Sequence, residues 1–86
     1  MTREAVERAV LEALAAVAPE ADLASLDRDR PLREQVDIDS YDYLNLMLEL
    51  VNRLGVDIPE RDYPRISTLR QLVDYLVPQA REVPRT

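Results

Sequence analysis

Apolar residues recur at helical spacing in three separate stretches, and this pattern constrains the fold more than any other feature of the sequence. The stretches cover residues 2–18, 40–54 and 69–76. A recurrence of about 3.6 residues is typical of an amphipathic helix that buries one face. No strand candidate exceeds the three residues 56–58. The sequence therefore predicts an all-α fold.

Capping residues and helix breakers set the boundaries of these helices. Thr2 is a suitable N-cap for the first helix, and Pro19 ends it because a proline pushes the preceding residue away from helical geometry. Gly55, the only glycine, is a suitable C-cap for the second helix, while Ser67 or Thr68 caps the last. We predict a single domain, 1–86, whose first elements are helix 1 at about 2–18, a long loop at 19–39 and helix 2 at about 40–54. A short helix 3 follows at about 59–63 and is stopped by Pro64. Helix 4 lies at about 68–77 and is ended by Pro78, and a frayed tail covers 78–86.

The loop at 19–39 is long for so small a protein. Such a connection is usually functional or tied down by its own apolar residues. The predicted tethers are Leu23, Leu26, Leu32 and Val36. We interpret the charged run at 27–31 as a solvated turn.

Composition excludes several function classes. The 86 residues contain no cysteine, histidine or lysine, so disulfides, thiolate or imidazole metal ligands and the usual general bases are absent. A net charge of −6 argues against nucleic acid as a partner. No apolar stretch approaches the roughly 18 residues of a membrane span. We therefore expect a cytoplasmic protein, monomeric by default, with protein partners. An enzyme of this composition would have to work with aspartate, glutamate, arginine, tyrosine, serine and threonine.

Ser40 lies at the start of the second helix, in the stretch 36–46, VDIDSYDYLNL. Asp39 is a suitable N-cap, and Asp42 is placed as the reciprocal acid of a capping box. Ser40 then occupies the first helical turn, where free backbone N–H groups and the helix dipole favour a phosphate. An aspartate and a serine at a helix start are by themselves most often structural.

The second helix carries more apolar surface than one face can bury. One stripe consists of Tyr43, Leu46, Met47, Leu50 and Leu54, and a second of Tyr41, Leu44, Leu48 and Val51. An exposed apolar row beside a modifiable serine indicates a docking surface. Alternatively, the long loop covers the second stripe.

The stretch from DIDSYDYLNL through the lone glycine, VDIP and the capped last helix to VDYL resembles the second half of an acyl carrier protein. The resemblance covers about 23–76 and implies an acyl-carrier-like four-helix bundle with three longer helices, one short helix and a long first loop. It implies a non-catalytic carrier in which Ser40 bears 4′-phosphopantetheine and Asp39 helps to position the site. A separate phosphopantetheinyl transferase would attach this group from coenzyme A with magnesium. The arm would hold an acyl group as a thioester for acyl-loading and acyl-processing enzymes of a lipid, polyketide or other specialised pathway.

The same resemblance implies roles for the rest of the second helix. The residues expected to face partner enzymes are Tyr41, Asp42, Leu44, Leu48 and Glu49. The residues expected in the core or an acyl pocket are Tyr43, Leu46, Met47, Leu50, Leu54, Ile58, Ile66, Leu69, Val73 and Leu76.

The chain also departs from the family pattern. Tyr41 stands where the family usually has leucine or methionine, and Asp37 where it usually has glycine. The second helix contains Asn45, Asn52 and Arg53 among few acids. We therefore expect a divergent, stand-alone bacterial carrier with a dedicated pathway.

The sequence also bears on functions other than a carrier. A calcium loop begun at Asp37 fails at Tyr41, Asp42 and Leu48, where the motif needs an oxygen ligand, a glycine and a glutamate. A serine hydrolase lacks its histidine base. A discrete aminoacyl or peptidyl carrier and an unmodified helical interaction module remain as alternatives.

Overall fold

A computed structural model describes residues 2–82 of the chain. Its elements are α1 (Arg3–Val17), a 3-10 helix (Leu23–Ser25), the single turn α2 (Leu32–Gln35), α3 (Ser40–Leu54), a second 3-10 helix (Glu60–Arg65) and α4 (Leu69–Glu82). The all-α prediction is confirmed, and α1, α3 and α4 are the three longer helices. Residues 83–86 of the predicted tail lie outside the described part.

The predicted caps have the expected geometry. Thr2 Oγ1 accepts a hydrogen bond of 3.1 Å from the Ala5 backbone N–H at the start of α1. Gly55 ends α3 in the left-handed region, with φ 64° and ψ 31°, where a side chain would cost about 1–2 kcal/mol. Of the two cap candidates for α4, Thr68 is the cap, because its Oγ1 accepts a hydrogen bond of 3.0 Å from the Gln71 N–H.

The core lies between α1, α3 and α4 and is closed by the connecting segments. Every residue predicted for the core or acyl pocket is buried. Two of the predicted loop tethers, Leu32 and Val36, are also buried, while Leu23 and Leu26 are half-buried and pack against the core. The buried set is Val6, Val10, Ala13, Leu14, Leu32, Val36, Ile38, Tyr43, Leu46, Met47, Leu50, Leu54, Val56, Ile58, Ile66, Leu69, Leu72, Val73, Leu76 and Ala80.

The prediction that Pro78 ends the last helix is wrong, because α4 continues through it to Glu82. A proline inside a helix removes one backbone hydrogen bond and costs about 3 kcal/mol. Tertiary contacts beyond the proline offset that cost. Ala80 is buried in the core, and the Gln79 side chain accepts from the Asp57 N–H at 2.9 Å and donates to the Asp57 carbonyl at 3.0 Å.

The prediction that Pro64 stops the short helix is also wrong. The 3-10 helix Glu60–Arg65 includes Pro64. Contacts on both sides hold this segment: the Tyr63 ring meets the Tyr43 ring edge-on, with centroids 5.7 Å apart, and the Tyr75 hydroxyl donates to Asp62 Oδ2 at 2.7 Å.

The first loop is more ordered than its sequence indicated, since it contains the first 3-10 helix and α2. The charged run is an exposed turn, as predicted, and its ion pairs also form a clamp. Arg28 donates to both carboxylate oxygens of Glu7 on α1, at 2.7 and 2.9 Å. The Asp29 carboxylate accepts from the Arg70 guanidinium on α4. The loop is therefore tied to two helices that flank the core.

Candidate functional site

A reciprocal pair of aspartates closes the N-terminus of α3. Asp39 has extended backbone geometry, with φ −93° and ψ −174°, and its Oδ1 accepts a hydrogen bond of 2.9 Å from the Asp42 N–H. Asp42 Oδ2 accepts in turn from the Asp39 N–H at 3.3 Å. This is the predicted capping box, a device whose cap residue contributes about 1 kcal/mol. It fixes the first turn of the helix, which contains Ser40.

Ser40 is the first residue of α3 and is exposed. The cap hydrogen bonds are made by Asp39 and Asp42, so the Ser40 hydroxyl lies outside the capping network. The first N–H groups of a helix and the positive end of its dipole favour a negative group at this position. An accessible hydroxyl at the start of a 15-residue helix therefore fits the attachment of a phosphate-linked group.

Tyr43, one turn further along α3, anchors this helix in the core. Its hydroxyl donates a buried hydrogen bond of 2.9 Å to the Ile66 carbonyl oxygen, and its ring packs edge-on against Tyr63. Burial raises the pKa of Tyr43 to about 12, because the phenolate would lose its hydration. The side chain is therefore a neutral hydrogen-bond donor that joins α3 to the segment following the second 3-10 helix.

The outward side of α3 carries an exposed apolar row, Tyr41, Leu44 and Leu48. Their exposed fractions are 71%, 38% and 50%, and they are the three large hydrophobic residues found exposed within residues 2–80. Val51, the fourth member of the predicted stripe, is half-buried and packs against the core. The long loop therefore leaves the row open, and the spacing of three and four residues places its members on one face.

The two acidic residues predicted to face partners have different surroundings. Asp42 is half-buried and is held in the capping box. Glu49 accepts a hydrogen bond of 2.9 Å from Arg53 Nε, while Arg53 Nη1 lies 3.3 Å from the Glu12 Oε1 on α1. Sequence reasoning missed this ion-pair network. The i, i+4 spacing of Glu49 and Arg53 signals the first pair, but Glu12 joins only through the packing of α1 on α3.

Two features of the described residues bear on alternative functions. Within residues 2–82 there is no group of three or more histidine, cysteine, aspartate or glutamate side chains that could hold a metal ion. Likewise, no helix in this part of the chain is both long and apolar enough to cross a membrane.

Comparison with known proteins places the chain in a class that agrees with this geometry. Residues 8–76, most of the chain and including Ser40, match the family model described as the phosphopantetheine attachment site. The chain is similar to the acyl carrier protein of Rubrobacter xylanophilus, with 32% identity over 56 residues, which cover 65% of this chain and 69% of that relative. It is similar to the acyl carrier protein of Chlorobium phaeobacteroides, with 46% identity over 39 residues, which cover 45% of this chain and half of that relative.

The chain therefore belongs to the acyl carrier protein family. Members of this family are carriers rather than catalysts, and this chain has a carrier function. The absence of histidine, cysteine and lysine suits that role, because no side chain is a ready nucleophile that would attack a thioester.

Proposed function

We propose that Ser40 is the residue that carries 4′-phosphopantetheine, and that the protein presents an acyl group on this arm to partner enzymes. The observation that carries the proposal is the exposure of Ser40 at the capped start of α3, inside the segment that matches the phosphopantetheine attachment family. The names of the relatives support an acyl cargo.

The attachment chemistry needs an accessible hydroxyl and no base from this chain. The Ser40 oxygen attacks the phosphorus of coenzyme A that bears the pantetheine, a P–O bond forms, and the pyrophosphate bond to the nucleotide half breaks. The serine proton leaves to a base of a separate phosphopantetheinyl transferase, which acts with magnesium. The attached group supplies the thiol that holds the cargo as a thioester.

Asp39 acts in this proposal as a positioning residue, since its carboxylate caps the turn that holds Ser40. Partner enzymes are proposed to contact α3 at Tyr41, Asp42, Leu44, Leu48 and Glu49. Weak docking, steered by the acidic residues of this surface, would let each enzyme leave after one step. A cytoplasmic location and a monomeric state stay predictions.

The test is the mass of the purified protein after incubation with coenzyme A, magnesium and a broad-specificity phosphopantetheinyl transferase. We expect the wild type to gain one phosphopantetheine and Ser40→Ala to gain none. Ser25→Ala is the matched control, because Ser25 is also exposed but lies in the first 3-10 helix, and it should gain the full mass.

Circular dichroism of the Ser40→Ala variant would show that its helices are intact, as expected when the cap residue is Asp39. A wild-type protein that gains no mass would refute the proposal and would favour an unmodified helical interaction module.

A further inference from the structure

An open cleft lies between the carboxyl end of α1 and the end of the first loop. It is lined by 17–22 and by 35–37, and none of these residues belongs to the capping box or to the apolar row on α3. Its volume is about 560 Å³. Small-molecule sites usually measure about 300–1,000 Å³, so the cleft is large enough to hold an organic group.

Every charged side chain in this cleft is an acid. Glu20, Asp22 and Asp37 are exposed, and none of them takes part in an ion pair found within residues 2–80. Asp22 accepts a hydrogen bond of 2.8 Å from the Ser25 hydroxyl, which leaves its charge uncompensated. The last turn of α1 contains no basic residue, so the negative end of the helix dipole adds to the field of the acids. The cleft therefore favours a positively charged group.

Among the side chains of 17–22 and 35–37, none is free to donate a hydrogen bond. Gln35 is the one with N–H groups, and its Nε2 donates to the carbonyls of Asp27 and Arg30 at 2.8 and 3.0 Å. Its Oε1 accepts from the Asp27 N–H at 2.6 Å, so the whole amide is used within the loop. The carboxylates of the cleft can only accept. The ligand that matches these side chains is therefore a hydrogen-bond donor.

An organic cation matches the cleft better than a metal ion does. The described residues 2–82 contain no group of three or more potential ligands placed to hold a metal ion. The cleft also has an apolar part, since Val17 is half-buried and Val36 is buried. A cation with carbon atoms can contact these valines while its charged end faces the carboxylates.

Ser40 is close enough for a group attached to it to reach the cleft. Asp37 is three residues before Ser40, so at most about 11 Å of extended chain separates them. The 4′-phosphopantetheine arm is longer than three residues of main chain. A tethered group also meets a nearby site at an effective concentration of the order of mM, an advantage that a free cation lacks. The cargo of the arm is therefore the favoured occupant.

We infer that this cleft is a resting site for the cargo, and that it selects an acyl group bearing a protonated amine, such as an aminoacyl group. This rests on the proposed function and specifies the class of its cargo. Glu20, Asp22 and Asp37 attract the ammonium group, and Val17 and Val36 contact its carbon atoms. An uncharged acyl group of the same size gains the apolar contact alone, and an acyl group with a carboxylate is repelled.

The test compares three cargoes that differ in one substituent: 2-aminopropionyl, 2-methylpropionyl and 2-carboxypropionyl. A broad-specificity phosphopantetheinyl transferase attaches each to Ser40 from its coenzyme A derivative, with a stable amide in place of the thioester, and the mass confirms loading. The readout is the change in backbone amide NMR signals relative to protein that bears the arm alone, at about pH 6, where the amine is protonated. We expect the amino cargo to move the signals of 17–22, and the other two cargoes to leave them in place.

The double variant Glu20→Gln/Asp37→Asn removes two of the three charges of the cleft. The signal changes caused by the amino cargo should fall to about half or less, because the attraction scales with the charge. Asp57→Asn/Glu60→Gln is the matched control, since it removes the same two charges from exposed positions outside the cleft. It should keep the wild-type signal changes. Circular dichroism checks that both variants are folded, and the comparison of cargoes in the wild type does not depend on them.

Three results would overturn the inference while leaving the proposed function intact. Equal changes from the amino and methyl cargoes would show that the cleft does not select the amine. Unreduced changes in the double variant would show that the acids do not hold it. Unchanged signals at 17–22 with every cargo would show that the arm stays outside, which leaves the cleft to a basic side chain of a partner protein. Absence of any mass gain with all the coenzyme A derivatives is a separate result that refutes the proposed function.

Discussion

At the scale of single residues, Tyr43 shows how the helix that bears Ser40 is held in place. Its hydroxyl donates to the Ile66 carbonyl at 2.9 Å in a buried setting. Tyr43→Phe keeps the ring and its contact with Tyr63 but leaves the buried carbonyl without that donor, so we expect a loss of about 1–2 kcal/mol in the free energy of unfolding. This loss can be measured by urea unfolding, with circular dichroism as the signal.

Tyr41→Phe is the control for this prediction, because the Tyr41 side chain is 71% exposed and its hydroxyl is free to bond with water. Its free energy of unfolding should stay within about 0.5 kcal/mol of the wild type. Equal losses in the two variants would mean that the hydrogen bond to Ile66 contributes nothing of its own.

At the scale of elements, the first loop depends on one side chain of α2. Gln35 Oε1 accepts from the Asp27 N–H at 2.6 Å, and its Nε2 donates to the carbonyls of Asp27 and Arg30 at 2.8 and 3.0 Å. Gln35→Ala removes all three bonds, so amide hydrogen exchange should become faster across 26–32 while α3 stays protected.

Gln79→Ala is the matched control for the loop, because the Gln79 side chain makes the same kind of bonds with the backbone of Asp57, outside the loop. It should accelerate exchange around Asp57 and leave 26–32 unchanged. Faster exchange throughout the chain in Gln35→Ala would show instead that the loop is part of the cooperative core.

The elements also show how far the sequence could predict the structure. Caps are local, and those at Thr2, Asp39 and Gly55 were predictable because donor and acceptor lie within four residues of each other. The continuation of the two helices through Pro64 and Pro78 was not predictable, because it depends on packing with residues that are distant in sequence.

The same division applies to the candidate site. The capping box and the second apolar stripe of α3 follow from spacing alone. Whether the first loop covers that stripe depends on where the loop packs in the folded chain. The ion pair between Arg53 and Glu12 depends on how α1 packs against α3. Sequence therefore located the serine and its helix, while the charge pattern around them needed the three-dimensional structure.

At the scale of the whole molecule, ion pairs tie the loop to α1 and α4. The hydrogen bond from Arg28 lowers the pKa of Glu7, and the hydrogen bond from Arg70 lowers the pKa of Asp29. A carboxylate whose pKa is lowered in the folded state stabilises the fold at pH values above its unfolded pKa, and that stability is lost as the pH falls through the lowered value.

We therefore expect a lower thermal midpoint of unfolding at about pH 3 than at about pH 6. Because both ion pairs are exposed, they should contribute only a modest share of this difference. The double variant Arg28→Gln/Arg70→Gln should lose less stability over the same pH range, because its carboxylates lack their cations. An identical pH dependence in the variant and the wild type would show that the clamp does not contribute to acid sensitivity.

The most direct measurement for the carrier function is the position of the modification in protein isolated from its native organism. The chain lacks lysine, so trypsin cleavage at Arg33 and Arg53 releases residues 34–53, in which Ser40 is the only serine or threonine. We predict that this peptide carries the mass of one phosphopantetheine and that fragmentation places it on Ser40. A modification on the peptides that contain Ser25 or Ser67, or an unmodified protein in every preparation, would contradict the assignment.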